Sequence, residues 1–595
     1  MVLKMSFRES GVLSSCYRTA LAVLLLIIAA SCTTTASSPD VQNDVVIISI
    51  MGTNDVHGEL LPQPGRGGLT TFSGYVNALR TARAGDGGGM LLIDAGDMWQ
   101  GTLESNTTEG TVMVEAFNAL GYTAAAVGNH EFDFGPAGSL STPASDADDA
   151  RGALKQRATE AKFPLLAANL IDIETDQPVD WDNVQPSVMV DVAGIKVGII
   201  GIMASDALLA TISANVEGLR VAPLADSIER EARLLRDSGA SLVIVTAHAG
   251  SRCNEFDDPM DLSSCRLSGE ILQVARELPA GLVDHIIAGH THGGIAHVVN
   301  GIAVTESFSN TRAFGRVDFT IDRRTQAVQS RHVYPPQPIC RFVDTENGQC
   351  ASPDEESASY VAASYENQAI APTKAVVAIA ERASLRVGEI KAEELGPLLP
   401  DAITLDGQPE SALGNLMVDA LLEMHDADVS FQNVSGGIRA ILPAGKLTFG
   451  SVYQMFPFDN RVVILELPGA DLRRIIEQQV HNVGRRAGFS GMRVFVDCDD
   501  NNMSITMLLA DGREIQDDEN IRFLTNDFLV LGGSGMLTPV MPEGGFQYSN
   551  DLPLIRDTLV DWFRIHDGQI LAEQFLNPEN PRWNLPDPLP AECSL

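Results

Sequence analysis

Residues 284–292 read DHIIAGHTH. An apolar run ends at a glycine, and two histidines one residue apart follow it. The same pattern recurs upstream. VVIISIMG (45–52) leads to Asp55 and His57, and MLLIDAG (90–96) leads to Asp97. AAAVGN (124–129) closes on Asn129, and LVIVTAH (242–248) closes on His248. These runs, with VGIIGIM (197–203), are apolar almost throughout rather than alternating, as strands covered on both faces are. Helical patterns such as 68–83 and 224–237 lie between them, so residues 45–340 predict an α/β domain. In open α/β sheets, ligands gather at the carboxyl ends of the strands. Asp55, His57, Asp97, Asn129, His248, His290 and His292 are therefore expected in one place.

Their chemistry is informative. Two carboxylates, an amide and four imidazoles give mixed oxygen and nitrogen ligation. That set suits Zn²⁺, Mn²⁺ or Fe better than an all-oxygen Ca²⁺ cage. Seven ligands are too many for one tetrahedral ion and fit two divalent metal ions sharing a bridge. Asp97 is the best bridging carboxylate. Two ions about 3.5–4 Å apart can activate water and clamp an in-line displacement at phosphorus. Each motif alone also has a plain reading: Asp55-Val56-His57 as a turn, Gly-Asp as chance. The argument rests on all of them occurring in order, each after a strand-like run. His130 adjoins a ligand and is expected to face a substrate instead of the same ion. Asp133, three residues on, either orients that ring or caps a helix. Glu131 and His285 are read as structural. GDGGG (85–89) is a loop, since no P-loop lysine follows it.

The rest of the chain sets the context. With 41 Lys+Arg against 78 Asp+Glu, the formal charge is −37, which argues against a nucleic-acid polymer as partner. Hydrophobic residues at 45% are enough for a large core and exclude a mainly disordered chain. TALAVLLLIIAA (19–30) follows Lys4, Arg8 and Arg18 and has the length of a signal-peptide core, short for a spanning helix. Ala29-Ala30-Ser31-Cys32 resembles a bacterial lipobox, which makes residues 1–31 a lipoprotein-type signal and Cys32 the lipidated residue. Ordinary cleavage near Ser31 is the alternative. Residues 32–44 then form a tether. Six further cysteines are expected to form disulfides in an exported chain. Fifteen pairings exist, of which Cys253–Cys265, Cys340–Cys350 and Cys498–Cys593 are the simplest. A composition shift after 340 marks a linker (341–374), and the stretch 359–380 is expected to begin helical, as a connecting helix. A second domain of mixed helix and strand is expected over 375–595, its Pro-rich tail PENPRWNLPDPLPAEC (578–593) irregular.

Asp-Val-His, Ala-Gly-Asp, Gly-Asn-His-Glu-Phe-Asp, Ala-His and Gly-His-Thr-His together resemble the calcineurin-like metallophosphoesterases. More narrowly, they resemble the exported 5′-nucleotidase / UDP-sugar hydrolase family, over roughly residues 45–560. The resemblance implies a metallophosphoesterase domain, its β-sheets covered by helices, followed by a smaller α+β substrate-binding domain. It implies one metal held by Asp55, His57, Asp97 and His292, and a second held by Asp97, Asn129, His248 and His290. His130 becomes the catalytic histidine and Asp133 its orienting partner. In the second domain, Ser-Gly-Gly-Ile-Arg (435–439) resembles a substrate loop in which Gly436 and Gly437 allow close approach and Arg439 binds an anion. Phe458 and Phe528 match the rings that sandwich a base, and Asn460 matches a base-contacting amide. Two departures stand out: no Arg occurs from 387 to 438, and Gly-Gly-Asp is here Gly-Gly-Ser, with Ser534. The implied activity is hydrolysis of a small-molecule phosphoester by attack of metal-bound hydroxide. The substrate would be a 5′-nucleotide, a nucleotide sugar or a 2′,3′-cyclic nucleotide. The enzyme would sit in the bacterial cell envelope on a lipid anchor, facing the periplasm or cell surface. The rival readings are a hydrolase of a sulfur ester and a non-catalytic binding lipoprotein on the same scaffold.

Overall fold

The computed structural model describes residues 44–586, apart from 64, 139, 146, 347, 352–358, 408, 482–486, 500, 501, 550 and 551. Residues 1–43, with Cys32, and residues 587–595, with Cys593, lie outside the described residues.

The apolar runs form two sheets. In the first, Val45–Thr53, Gly89–Asp94, Ala124–Ala126, Leu165–Leu166 and Val184–Gln185 pair in that order, all parallel. Ala313–Asp322 and Val328–Pro338 extend the other edge of this sheet. In the second, Ile195–Met203, Leu242–His248 and His285–Ala288 run parallel at the centre. Alternate residues of each strand have different tasks. Ile48, Ile50, Leu91 and Ile93 share one core cluster with Ile199, Leu242, Ile244 and Ile287, so the sheets pack face to face. Their neighbours Met51 and Leu92 meet Leu69, Phe72 and Val76 of the helix Gly68–Asp86. Both faces of the strands are covered, which is why the runs do not alternate.

The stretch expected to open as a helix does not. Tyr360–Ala362, Ser364–Tyr365 and Gln368–Ala369 are short strands, and the helix runs Lys374–Lys391. Glu366 and Asn367 form a two-residue hairpin loop, both at positive φ. Pro372 then bars helix until Thr373. The tail, expected to be irregular, pairs Trp583–Asn584 with Met492–Asp499 because Trp583 is buried against Phe489.

The C-terminal region is built on the four-stranded sheet Val462–Pro468, Asn520–Asn526, Val429–Gln432 and Gly488–Ser490. From Val46 onward the chain is one compact unit. Lys391 Nζ lies 2.8 Å from Glu104, and Gln100 and Asn106 both donate to the Pro457 carbonyl at 3.2 Å. These contacts close the C-terminal region over the carboxyl ends of the N-terminal strands. Cys253–Cys265 and Cys340–Cys350 are disulfides. Cys498 is disulfide-bonded as well.

Candidate active site

The turns after the strands are where the backbone is least ordinary. Asp55, His57, Asp97, His290 and His292 all have φ between 49° and 72°, a region that β-carbons disfavour. Such strain persists only where the surroundings hold it. Here the loops hold one another. Asp55 N donates to Gly96 O and His57 N to Asp97 O, each at 3.0 Å. His290 N donates to both Asp55 oxygens, at 3.1 and 2.9 Å. Gly96 has to be glycine: φ is +91°, and a β-carbon would stand 2.8 Å from His248 Nδ1.

The seven expected ligands meet in two groups. Asp55, His57 and His292 form one, and Asp97, His248 and His290 the other. Asn129 Oδ1 completes the second, 2.9 Å from His248 Nε2 and 3.0 Å from His290 Nδ1. Its amide nitrogen donates to Ala210 O, which fixes the oxygen toward the group. Asp97 Oδ2 lies between them, 3.2 Å from His248 Nε2 and 4.0 Å from His57 Nε2.

The tautomers follow from the outer contacts. His57 Nδ1 donates to Gln100 O and His248 Nδ1 to Ala95 O, both at 2.9 Å. Each ring then presents an Nε2 lone pair inward. His57 Nε2 is 3.1 Å from His292 Nε2, and His248 Nε2 is 3.1 Å from His290 Nδ1. Lone pairs brought this close fit a divalent cation between them. Burial opposes charge on His248, yet the carboxylates, Asp97 foremost, hold its pKa up to about 10, so a proton and a cation compete for the Nε2 lone pair. Burial likewise opposes charge on Asp55, and His292 prevails, leaving it at about 2. Negative charge concentrated in this way is what a pair of cations neutralises.

His130 lies beside the ligand groups, its ring centre 5.4 Å from that of His57, but its two nitrogens have other partners. Its Nδ1 is 2.6 Å from Asp133 Oδ2, and its Nε2 is 3.0 Å from Arg439 Nη2. Asp133 follows the short 3₁₀ turn His130–Phe132 instead of capping a helix, and it also accepts from Thr211 Oγ1 at 2.8 Å. Burial lowers the His130 pKa, the Asp133 and Asp97 carboxylates raise it, and the balance is a raised value. Arg439 can only donate, so His130 Nε2 accepts from it here; an oxyanion arriving between the guanidinium and a protonated imidazole would take a hydrogen bond from each.

Asp97, Asn129, His130, His290 and His292 open into a cavity of about 980 Å³. Arg439, Phe458, Asn460, Phe528, Gly436 and Gly437 line its opposite wall. The Arg439 guanidinium lies 5.2 Å from the Phe458 ring centre. A β-carbon on Gly533 would stand 2.5 Å from the Phe528 ring, so the glycine lets that ring lie flat. Asn460 Nδ2 donates to Asp527 at 3.2 Å. Nothing in the protein crowds Gly436, whose added β-carbon would find its nearest neighbour at 3.6 Å. Ser534, the departure from Gly-Gly-Asp, lines the cavity too.

The sequence reading missed the supports. Asn54 donates to Asp55 at 2.7 Å. Glu131, read only as structural, accepts from the Asp97, Met98 and Gly128 amides at 2.7–2.8 Å. Buried Glu306 accepts from Thr291 Oγ1, Gly293 N and Ser251 N at 2.7, 2.9 and 3.0 Å. No signal marks Asn54 or Glu306: Asn54 is fixed against its neighbour by accepting from Ser307 N at 2.9 Å and donating to Phe308 O at 2.5 Å, and the partners of Glu306 are likewise remote in sequence.

Residues 48–294 match the family model of calcineurin-like phosphoesterases, and residues 386–541 match that of the 5′-nucleotidase C-terminal domain. The chain thus carries a calcineurin-like phosphoesterase domain followed by a 5′-nucleotidase C-terminal domain. It is 27% identical to the endonuclease YhcR of Bacillus subtilis over 507 residues, 83% of this chain and 38% of that protein. It spans well under two thirds of the length of that relative. It is 24% identical to protein UshA of Yersinia enterocolitica over 518 residues, 82% of this chain and 86% of that one. The crystal structure of a 5′-nucleotidase precursor from Thermus thermophilus has the same fold. Its TM-score is 0.67 at 22% identity, covering 90% of this chain and 99% of that one.

Proposed function

We propose that this enzyme is a two-metal phosphoester hydrolase acting on nucleotides: 5′-nucleotides, nucleotide sugars or 2′,3′-cyclic nucleotides. The observation that carries the reading is the pair of inward-facing donor groups joined at Asp97, beside the His130–Arg439 donors. Asp55, His57, Asp97 and His292 would hold one divalent ion, and Asp97, Asn129, His248 and His290 the other. Zn²⁺, Mn²⁺ or Fe suits these donors. Bound there, such ions supply Lewis acidity and a water of lowered pKa. Water oxygen bonds to phosphorus, the P–O ester bond breaks, and the leaving alkoxide takes a proton. His130 and Arg439 donate to the phosphoryl oxygen on which charge develops, and Asp133 holds the imidazole in place. Phe458 and Phe528 receive the base, and Asn460 contacts its edge.

We also propose that the chain is exported and anchored through Cys32. The LLLIIAASC stretch (24–32) and the disulfides support this. Among the described residues no helix is long and apolar enough to cross a membrane. Labelled palmitate incorporated by the wild type and lost in Cys32→Ser would support the anchor; labelling of both would remove it.

The test of activity is phosphate release from AMP, UDP-glucose and 2′,3′-cyclic AMP, with bis-p-nitrophenyl phosphate as a generic diester. It is run after chelation and after Mn²⁺ or Zn²⁺ is restored, with metal content measured alongside. Metal-dependent turnover of a nucleotide is expected. Bound metal with turnover of the generic diester alone would end the nucleotide reading while leaving the metal site.

A further inference from the structure

The metal-side wall of the cavity carries two cations that the proposed chemistry does not use. Arg252 and Arg266 both line the cavity with His290 and His292, and both are exposed to it. They flank the Cys253–Cys265 disulfide, which holds the two ends of an intervening loop together. Arg266 N donates to Arg252 O at 2.8 Å, and Ser251 Oγ donates to Arg266 O at 2.7 Å. Cys253 N donates to Gly294 O at 2.8 Å, tying the clamp to the turn after His292. A β-carbon on Gly293 would stand 3.0 Å from Arg252 Cβ, so Arg252 starts directly beside that turn. The backbone under both arginines is thus fixed.

Their side chains are not spoken for. Neither guanidinium forms an ion pair or hydrogen bond among the described residues, in a chain whose acids outnumber its bases 78 to 41. The carboxylates on the same wall are engaged elsewhere. Glu270 accepts from Ser205 N at 3.3 Å, and Asp206 lies 3.7 Å from His290. Across the cavity the C-terminal region contributes one arginine, Arg439, and it faces His130. One anionic group is therefore served by His130, Arg439 and the metal ligands. A second donor pair remains beyond them. Arginine forks match phosphoryl oxygens geometrically, and a fixed backbone roots two of them beside one another on this wall, their guanidinia free to turn to a ligand.

We propose that Arg252 and Arg266 form a second anion subsite, selecting substrates that carry a phosphoryl group beyond the one hydrolysed, as a nucleoside diphosphate does. This rests on the nucleotide reading above.

The test uses the full chain loaded with Mn²⁺ and measures KM and kcat for ADP and AMP. In Arg252→Gln/Arg266→Gln, the ratio of KM for ADP to KM for AMP should rise about tenfold, the loss of one charge-assisted hydrogen bond. The effect should fall on KM rather than kcat. Arg252→Lys/Arg266→Lys keeps charge without the fork and should give an intermediate ratio; it also serves if the glutamine pair lowers the melting temperature. An unmoved ratio in both variants overturns the subsite while leaving the nucleotide reading intact. A wild type that cleaves bis-p-nitrophenyl phosphate but neither nucleotide ends both.

Discussion

The two walls of the cavity are built on opposite principles. On the metal side, Asp55 and His248 are wholly buried, and five of the seven expected ligands sit at positive φ. Nearly every side chain there has an outer partner, such as Gln100 O for His57, Ala95 O for His248 and Asn54 for Asp55. On the opposite wall, Phe458, Asn460 and Phe528 are half-buried, and Gly436 is exposed. Of that wall's residues only Ser534 is at positive φ without being glycine. One wall holds atoms to a geometry at the cost of strain, and the other offers surface. The first sets what reaction is possible and the second sets which molecule undergoes it.

Breaking the metal side should therefore silence every substrate alike. Asp97→Ala removes the oxygen lying between both donor groups. We expect kcat to fall for nucleotide and generic diester by more than the roughly 10²–10³ typical of losing one oxyanion donor. Measured metal content should fall with it; a full metal complement with wild-type kcat would show that Asp97 bridges nothing. His130→Ala keeps the ligands, so metal content should hold while kcat falls by about 10²–10³. One layer out, Glu306→Gln places an amide N–H against a donor it must now oppose, at Thr291, Gly293 or Ser251. Outer supports of this kind are worth about 10–100-fold in metal affinity. A metal titration that matches the wild type would place Glu306 outside the site's support.

This contrast also explains what the sequence made legible. The ligands follow their strands within a few residues, so the apolar runs and the gathering of ligands at the carboxyl ends of strands were enough to expect them in one place. Both disulfides within the described residues joined the nearest cysteines. The helix expected from residue 359 was missed because an apolar, alanine-rich stretch masked the two-residue turn at Glu366-Asn367 and the block at Pro372. Trp583 looked like a tail residue until Phe489 covered it. The outer supports escaped for a related reason. Glu306 lies on Ile302–Ser307 and meets loops from other strands of its own sheet, while Asn54, just after Val45–Thr53, meets Ser307 of the other sheet and Phe308 next to it. The arginines at 252 and 266 are ordinary in sequence, and only the disulfide sets them side by side.

On the recognition wall the expected effects are smaller and selective. Phe458→Ala and Phe528→Ala should each weaken nucleotide binding by about 1–3 kcal/mol, seen in KM. Turnover of bis-p-nitrophenyl phosphate should change far less. Equal losses on both substrates would mean that these rings support the fold and not the base.

The least effect, and the one that separates the walls most finely, concerns Asp527. Burial pushes its carboxyl from 3.8 up to about 6, despite hydrogen bonds from the Arg461 amide, Asn460 and the Phe528 amide. The Arg461 guanidinium offsets burial only in part, whereas on the metal side His292 outweighs it at Asp55. The charged form of Asp527 is thus disfavoured in the folded state. As pH rises from about 4 to about 6, the unfolded chain gives up this proton before the folded chain does, and stability falls. Above about 6 the loss is complete and constant. In Asp527→Asn the side-chain amide oxygen can accept from Asn460 and the Phe528 amide without the charge, while the bond from the Arg461 amide is lost, a cost that does not depend on pH. The variant should therefore gain in melting temperature relative to the wild type as pH rises from 5 to 7.5. A gap of equal size at both values would mean that Asp527 is not held protonated by its surroundings, and that this wall tolerates charge as readily as the other.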